Sequence, residues 1–133
     1  MTADQPAPAF VAAMGLTTTE VSGTRVAGSA EFGPEQHTPW GVVHGGVYSA
    51  IVETAASIGA SKAVEEQGQF SVGVNNSTDF IRSMTAGRVD VVAEPVQQGR
   101  TQQLWQVTLT RAEDGKLVAQ GRVRLQNVPL PGS

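Results

Sequence analysis

Apolar positions change their spacing several times along the chain, and each change marks an element. Between Ala9 and Leu16, Phe10, Met14 and the neighbouring alanines recur at helical spacing and Gly15 supplies a stop, which predicts a short helix. From Thr17 to Phe32 the residues are β-branched and alternating, with an interruption at Ser22-Gly23, so a bent strand or a hairpin is expected. Gly33 to Trp40 reads as a loop. A helix then begins near Gly45 or Gly46 and runs to about Glu65 or Glu66, where Gln67-Gly68 ends it. Strand patterns follow over Phe70 to Ile81, Arg88 to Val96, Thr101 to Arg111 and Leu117 to Val128, punctuated by Gly87, Gln98-Gly99 and Glu113-Asp114-Gly115. One long, buried-looking helix with strands before and after it predicts the α+β class, an antiparallel sheet wrapped around a central helix.

The length of 133 residues suits one domain, assigned to residues 9–128, with the polar, proline-rich stretches 1–8 and 129–133 as loosely attached ends. A charged content of only 16% favours burying a further face against a partner, so self-association is expected. The net charge of −3, without any run of Lys or Arg, argues against phosphate-driven nucleic-acid binding. No cysteine is present, which excludes disulfides, thiolate catalysis and cysteine zinc sites. The opening MTADQPAPAF lacks the pattern of a signal peptide, and the longest apolar stretch is too rich in Gly, Ser and Thr to span a bilayer. A cytoplasmic protein without membrane association is the expectation.

That longest stretch, GVVHGGVYSAIVETAASIGAS from Gly41 to Ser61, holds a single formally charged side chain, Glu53. An ionised carboxylate buried without partners is costly, so one in such surroundings is paired, protonated or used. Tyr48, Val52, Ala55 and Ala56 lie on several sides of it and leave no broad polar face for it to join. The rival reading is a surface acid on an otherwise apolar helix. At the predicted helix start, backbone N–H groups lack intrahelical acceptors and the macrodipole is positive, which suits a developing oxyanion. Gly45 and Gly46 would let a substrate carbonyl approach that backbone, although paired glycines also mark simple turns.

Glu53 follows Gly45 by eight residues, a separation of about 12 Å along a helix. A reacting atom must lie within about 3 Å of both the oxyanion donor and the attacking or basic group. Two antiparallel copies of the helix related by a two-fold axis meet that condition, so the spacing predicts a dimer. His44 is assigned positioning of the turn rather than proton transfer. Ser57 shares the helix face of Glu53, either to orient a water or as a small packing residue. No serine nucleophile is expected, because GxSxG is missing and neither histidine has an evident supporting acid. His37 and His44, the only histidines, lack HExxH-type spacing, and no metal is expected. Arg82-Ser83 and Gly99-Arg100-Thr101 stand at a strand end and in a turn, where arginine is commonly just solvated charge but also suits phosphate.

PWGVVHGGVYSAIVETAAS, NSTDFIRSMTAGRV and VQQGRTQQLWQV together resemble the hotdog-fold acyl-CoA thioesterases, over about Phe10 to Gln126. The likeness is to the group containing the 4-hydroxybenzoyl-CoA, phenylacetate-pathway and 1,4-dihydroxy-2-naphthoyl-CoA thioesterases. It implies a five-stranded antiparallel sheet around the helix and dimers that pair into homotetramers. It further implies that the Gly45 N–H polarises the thioester carbonyl, that Glu53 of the partner subunit is the catalytic carboxylate, and that Ser57 assists the hydrolytic water. Arg82, Ser83, Arg100 and Thr101 fall where relatives contact the nucleotide and phosphates of coenzyme A, with Gly46 beside them at the substrate backbone. Relatives place Gln or Asn six residues before the histidine, and this chain has Thr38, whose hydroxyl has a shorter reach. No cofactor is implied beyond the coenzyme A of the substrate.

The function expected is hydrolysis of an acyl-CoA, preferably an aryl-CoA, with Trp40, Tyr48 and Phe80 as candidate lining of the acyl pocket. Two other readings stand beside it: a non-hydrolytic acyl-CoA or metabolite-binding module, and a hydratase or dehydratase, which would want a His/Asp acid-base pair on the acyl chain.

Overall fold

Gly15 turns the chain out of its first helix in the left-handed conformation, φ 77°, and its N–H returns to the Ala12 carbonyl at 3.2 Å. A positive φ of this kind is the reason a glycine ends the helix. The computed structural model describes residues 7–132. Within them, α1 (Ala9–Met14) is followed by β1 (Leu16–Val21), β2 (Val26–Phe32), a 3-10 turn at Pro34–Gln36, α2 (Gly45–Val64), a 3-10 turn at Glu65–Gln67, β3 (Gln69–Phe80), β4 (Gly87–Gln98), β5 (Gln102–Arg111) and β6 (Leu117–Pro129). The strands form one antiparallel sheet in the order β1-β2-β4-β5-β6-β3.

The sheet therefore has six strands and not the expected five. Thr17 to Phe32 is a hairpin and not one bent strand, because the Ser22 N–H bonds the Arg25 carbonyl at 2.8 Å and the Ser22 hydroxyl takes the Thr24 N–H at 3.3 Å, closing a tight turn. Of the loosely attached ends expected at 1–8 and 129–133, residues 1–6 and 133 lie outside the described residues. Where the C-terminal end is described it is tied down: Pro129 still pairs with Gln69, and the Leu130 N–H bonds the Gly68 carbonyl at 3.0 Å. No helix among the described residues is long and apolar enough to cross a membrane.

α2 lies in the concave side of the sheet and touches all six strands. Its sheet-facing residues, Tyr48, Ile51, Val52, Ala55, Ala56, Gly59 and Ala60, are buried. Most are small, so the helix axis sits close to the strands. The pleat supplies the other side of the core: along β5, Gln103, Trp105, Val107 and Leu109 are buried while their neighbours are partly exposed. Trp105, fully buried, stacks its ring on Gly59, where a Cβ would run into Cη2 and Cζ3 of the indole.

One buried polar network ties the C-terminal half of α2 to three strands. Gln103 Nε2 donates to the Ala60 carbonyl and to Asn127 Oδ1, both at 2.9 Å, and Gln103 Oε1 accepts from Trp105 Nε1 at 2.9 Å. Ser71 Oγ also donates to Asn127 Oδ1, at 3.1 Å. Asn127 Nδ2 reaches the Arg100 carbonyl at 3.2 Å and holds the β4–β5 turn. Each of these groups would otherwise be a buried orphan.

Gly59→Ala forces a methyl group into the Trp105 ring, and overpacking of this kind costs about 1–3 kcal/mol. Denaturant or thermal unfolding will show the loss, and an unchanged midpoint would mean that the ring has room to move.

Candidate active site

Two loops fix the entry to α2. The Val43 N–H bonds the Met84 carbonyl and the His44 N–H bonds the Gln36 carbonyl, both at 2.8 Å, while His37 Nε2 donates to the Thr85 carbonyl at 2.6 Å. His44 is the N-cap residue: its extended backbone ends the loop, and its Nδ1 accepts the Gly46 N–H at 2.8 Å. The His44 carbonyl takes the Val47 N–H at 2.9 Å. Of these first-turn donors only the Gly45 N–H has no acceptor among the described residues. His44 thus caps the first turn through its ring nitrogen as well as its backbone.

Both glycines lie against aromatic rings that a side chain would have to displace. A Cβ on Gly46 would lie 2.8 Å from His44 Nδ1, and one on Gly45 would lie 2.6 Å from Cε2 of Phe80, whose half-exposed ring covers that residue. Behind Phe80, Tyr48 packs at 5.9 Å between ring centroids, and Phe32 meets Tyr48 edge-on at 5.8 Å. Burial raises the Tyr48 phenol above its ordinary pKa, with the Met84 backbone acting in the opposite direction; the hydroxyl has no partner at hydrogen-bond geometry and stays protonated at neutral pH. Trp40 is 86% exposed on its loop. Trp40, Tyr48 and Phe80, read as candidate lining of the acyl pocket, are placed apart in the single chain: Trp40 on an exposed loop, Tyr48 in the core and Phe80 against Tyr48 and Gly45. An apolar groove of about 290 Å³ opens instead between α1 and the start of α2, lined by Phe10, Ala13, Met14, His44, Gly46, Val47 and Ala50, with Glu35 and Gln36 at its rim.

Glu53 is exposed in the single chain, contrary to the burial expected from its neighbours. Those neighbours are buried in the core, whereas Ser49, Glu53, Ser57 and Ser61, at successive four-residue steps, form a stripe along the flank of α2 beside β3, the serines half-buried and Glu53 exposed. The helix has two distinct faces, but small apolar residues stand on both, so spacing alone did not reveal the second. Ser57 lies one turn beyond Glu53 and lines the same shallow depression with Thr54, Ile58, Ser61, Phe70 and Ser71. Glu53 and Gly45 remain about 12 Å apart along a single helix, and one chain does not bring them together.

Asn76, which the sequence did not single out, meets Glu53 from β3. Its Nδ2 donates to the Ser49 carbonyl at 3.0 Å and to Glu53 Oε1 at 3.4 Å, and its Oδ1 accepts from Thr78 Oγ1 at 2.6 Å. The polar run Asn75-Asn76-Ser77-Thr78 inside a strand was the available signal, but which of these residues face the helix depends on a bulge between Gly73 and Asn75.

The remaining site residues are scattered. The Thr38 hydroxyl accepts the Trp40 N–H at 3.2 Å within its own loop. Arg82 and Ser83 are exposed after β3, close to the entry of α2, and Arg82 Nη1 donates to the Leu117 carbonyl at 2.8 Å. Arg100 and Thr101 are exposed in the β4–β5 turn beside Ala63, Val64 and Gln67, at the other end of α2, around a polar depression of about 460 Å³. A helix of 20 residues is about 30 Å long, so these two pairs do not meet within one chain.

An antiparallel sheet curled around one long helix is the architecture of the hotdog class of proteins. The family model described as Thioesterase superfamily matches residues 41–118, and the chain belongs to that family. It is 43% identical over 132 residues to a Mycobacterium tuberculosis protein named as an esterase, covering 94% of each chain. The solved structure of that protein superposes with a TM-score of 0.86 over 91% of this chain and 97% of the other. A thioesterase structure from Haemophilus influenzae, 29% identical, gives 0.83 over 92% of this chain and 84% of its own. A Listeria monocytogenes protein named 1,4-dihydroxy-2-naphthoyl-CoA hydrolase is 36% identical over 74 residues, 56% of this chain and 59% of that protein.

Removing the histidine cap tests the local geometry. His44→Ala will lower stability by about 1 kcal/mol in denaturant unfolding, and His44→Asn, which restores a capping oxygen, will recover most of it.

Proposed function

We propose that the protein hydrolyses an acyl-CoA thioester to the free acid and coenzyme A, preferring an aromatic acyl group, at two equivalent sites built by a homodimer. The observation that carries this reading is a Gly45 N–H without an acceptor among the described residues, at the positive end of a helix that carries a single carboxylate, the exposed Glu53. A carbonyl carbon meets both groups when a second copy lays its α2 antiparallel on the first, so that Glu53 of the partner subunit faces Gly45. The free edge of β3 supports such pairing, because an identical strand added there satisfies its open backbone groups. Two such dimers form the proposed homotetramer.

In the reaction the Gly45 N–H and the helix N-terminus stabilise the carbonyl oxygen as it takes up negative charge. Glu53 acts by one of two routes. Either it removes a proton from the water that adds to the carbonyl and returns it to the departing thiolate, or it adds to the carbonyl itself, expelling the thiolate and forming an anhydride that water cleaves. Ser57, one turn beyond, orients the water. Antiparallel pairing supports a nucleotide site from two chains, because it brings the Arg100 and Thr101 end of one α2 to the Arg82 and Ser83 end of the other; planar guanidinium groups suit the phosphates. The groove lined by Phe10, Met14, Val47 and Ala50 adjoins Gly46 and suits a flat apolar acyl group, and the likeness to a naphthoyl-CoA hydrolase favours the same class.

A thiol-release assay over benzoyl, hydroxybenzoyl, phenylacetyl, dihydroxynaphthoyl and straight-chain CoA thioesters tests the reading. Glu53→Ala will lower kcat by about 100-fold to 10,000-fold with acyl-CoA binding retained; unchanged turnover removes Glu53 from the mechanism, and wild-type binding without thiol release points to a ligand-binding protein. Oxygen-isotope label entering Glu53 in a single turnover identifies direct attack, and label confined to the product identifies the general-base route.

Arg82→Ala and Arg100→Ala will each raise KM for the CoA thioester about tenfold with little change in kcat, as loss of uniform binding requires. A truncated pantetheine thioester, which lacks the nucleotide, will show no such difference between variants and wild type.

A further inference from the structure

We infer that Asn76 is a positioning residue for the Glu53 carboxylate and that Thr78 acts through it. The inference rests on the proposed role of Glu53 as the reacting carboxylate. A carboxylate two turns into a helix and open to solvent has several rotamers, and only those aimed at a carbonyl held by another chain are productive. In this structure the side chain is met from two sides. Below it lies Gly73, where even a Cβ would stand 3.3 Å from the carboxyl carbon and Oε2, so the backbone of β3 forms its floor. Beside it, Asn76 Nδ2 donates to Oε1 at 3.4 Å.

The orientation of the Asn76 amide is over-determined. Its Oδ1 accepts the Thr78 hydroxyl at 2.6 Å, and its Nδ2 donates to the Ser49 carbonyl at 3.0 Å, so the nitrogen and not the oxygen must face Glu53. Had the amide been reversed, its oxygen would meet a carbonyl and a carboxylate. The bond to Ser49 also anchors the amide to the helix that carries Glu53, one turn earlier, so donor and acceptor move together.

The strand is built for this contact at the cost of its regular register. Ser71 and Gly73 stand opposite Asn127 and Leu125, on the helix-facing side of β6. Continued alternation would next aim Asn75, Ser77 and Asp79 at the helix. The bulge between Gly73 and Asn75 shifts the phase, so that Asn76, Thr78 and Phe80 stand opposite the buried Val123, Gly121 and Ala119 instead. The same shift thus delivers Phe80 to Gly45 and Asn76 to Glu53.

Thiol-release kinetics, melting temperatures and acyl-CoA binding are to be measured for the full chain, for Asn76→Leu, Thr78→Val, their combination, Glu53→Gln, and Asn76→Leu on Glu53→Gln, using the best substrate of the panel. Asn76→Leu will lower kcat by about 10-fold to 100-fold with KM changed less than about twofold, the scale of a misplaced reacting group. Thr78→Val will lower kcat less, the Asn76/Thr78 combination will match Asn76→Leu, and Asn76→Leu will leave the residual rate of Glu53→Gln unchanged within about twofold. If Glu53→Gln is inactive while Asn76→Leu keeps wild-type kcat, or the Asn76 and Thr78 losses simply add, the positioning role falls and the catalytic carboxylate stands. Full activity in Glu53→Gln overturns the carboxylate and this inference together. If Asn76→Leu does not fold, Thr78→Val decides, and wild-type kcat in that variant overturns the inference.

Discussion

The close seat of α2 against the sheet is the constraint on which the remaining structure depends. A helix can lie this near a curved sheet only where both surfaces are small: Ala55, Ala56, Gly59 and Ala60 on one side, and Gly121, whose absent Cβ would meet Val52 at 2.9 Å, on the other. Trp105 fills the space that remains, pressed against Gly59. Because the interior is close-packed, such a seat leaves the helix little freedom to slide or roll. Its start and its outward face are then placed as firmly as the core itself.

Polar anchors complete this at both ends. Near the C-terminal end the Gln103, Asn127, Ser71 and Trp105 network reaches the Ala60 carbonyl, and it also holds the turn that carries Arg100. Near the N-terminal end, backbone bonds from Val43 to Met84 and from His44 to Gln36 aim the first turn, and the His44 ring closes it. Buried networks of this kind are strong only when every member is satisfied, and these are, with the Tyr48 hydroxyl as the buried side-chain group left over among the described residues. Gly45 and Glu53 are therefore fixed relative to one another, at a separation that one reaction centre cannot span.

What the single chain leaves uncovered is consistent with that separation. The stripe of Ser49, Glu53, Ser57 and Ser61 on the flank of α2 carries little charge, with Ala50 and Ile58 half-buried beside it, and the adjoining β3 is an edge strand. In the proposed dimer these surfaces meet, and the apolar groove beside Phe10 would take the acyl group. The catalytic reading thus follows from the surfaces left unfinished by the fold as much as from the residues placed within it.

Much of this was legible in the residues themselves. The stop at Gly15, the start of α2 at Gly45, its end before Gly68 and the turns around Gly87 and Gly99 are local events, set by backbone conformations available to glycine and by capping within a few residues. So was the chemical candidacy of Gly45 and Glu53, which needs only a helix start, a lone acid and a rise per residue. The sequence by itself determined those elements, the family and the distance that separates the two groups. Which side of α2 Glu53 occupies, the withdrawal of Thr38 into its own turn, the dispersal of Trp40, Tyr48 and Phe80, and the arrival of Asn76 beside the carboxylate were decided only by the tertiary structure. The physical reason is that strand phase and helix facing are set by pairing between distant segments: a one-residue bulge in β3 reverses which side chains meet the helix, and no local pattern records it.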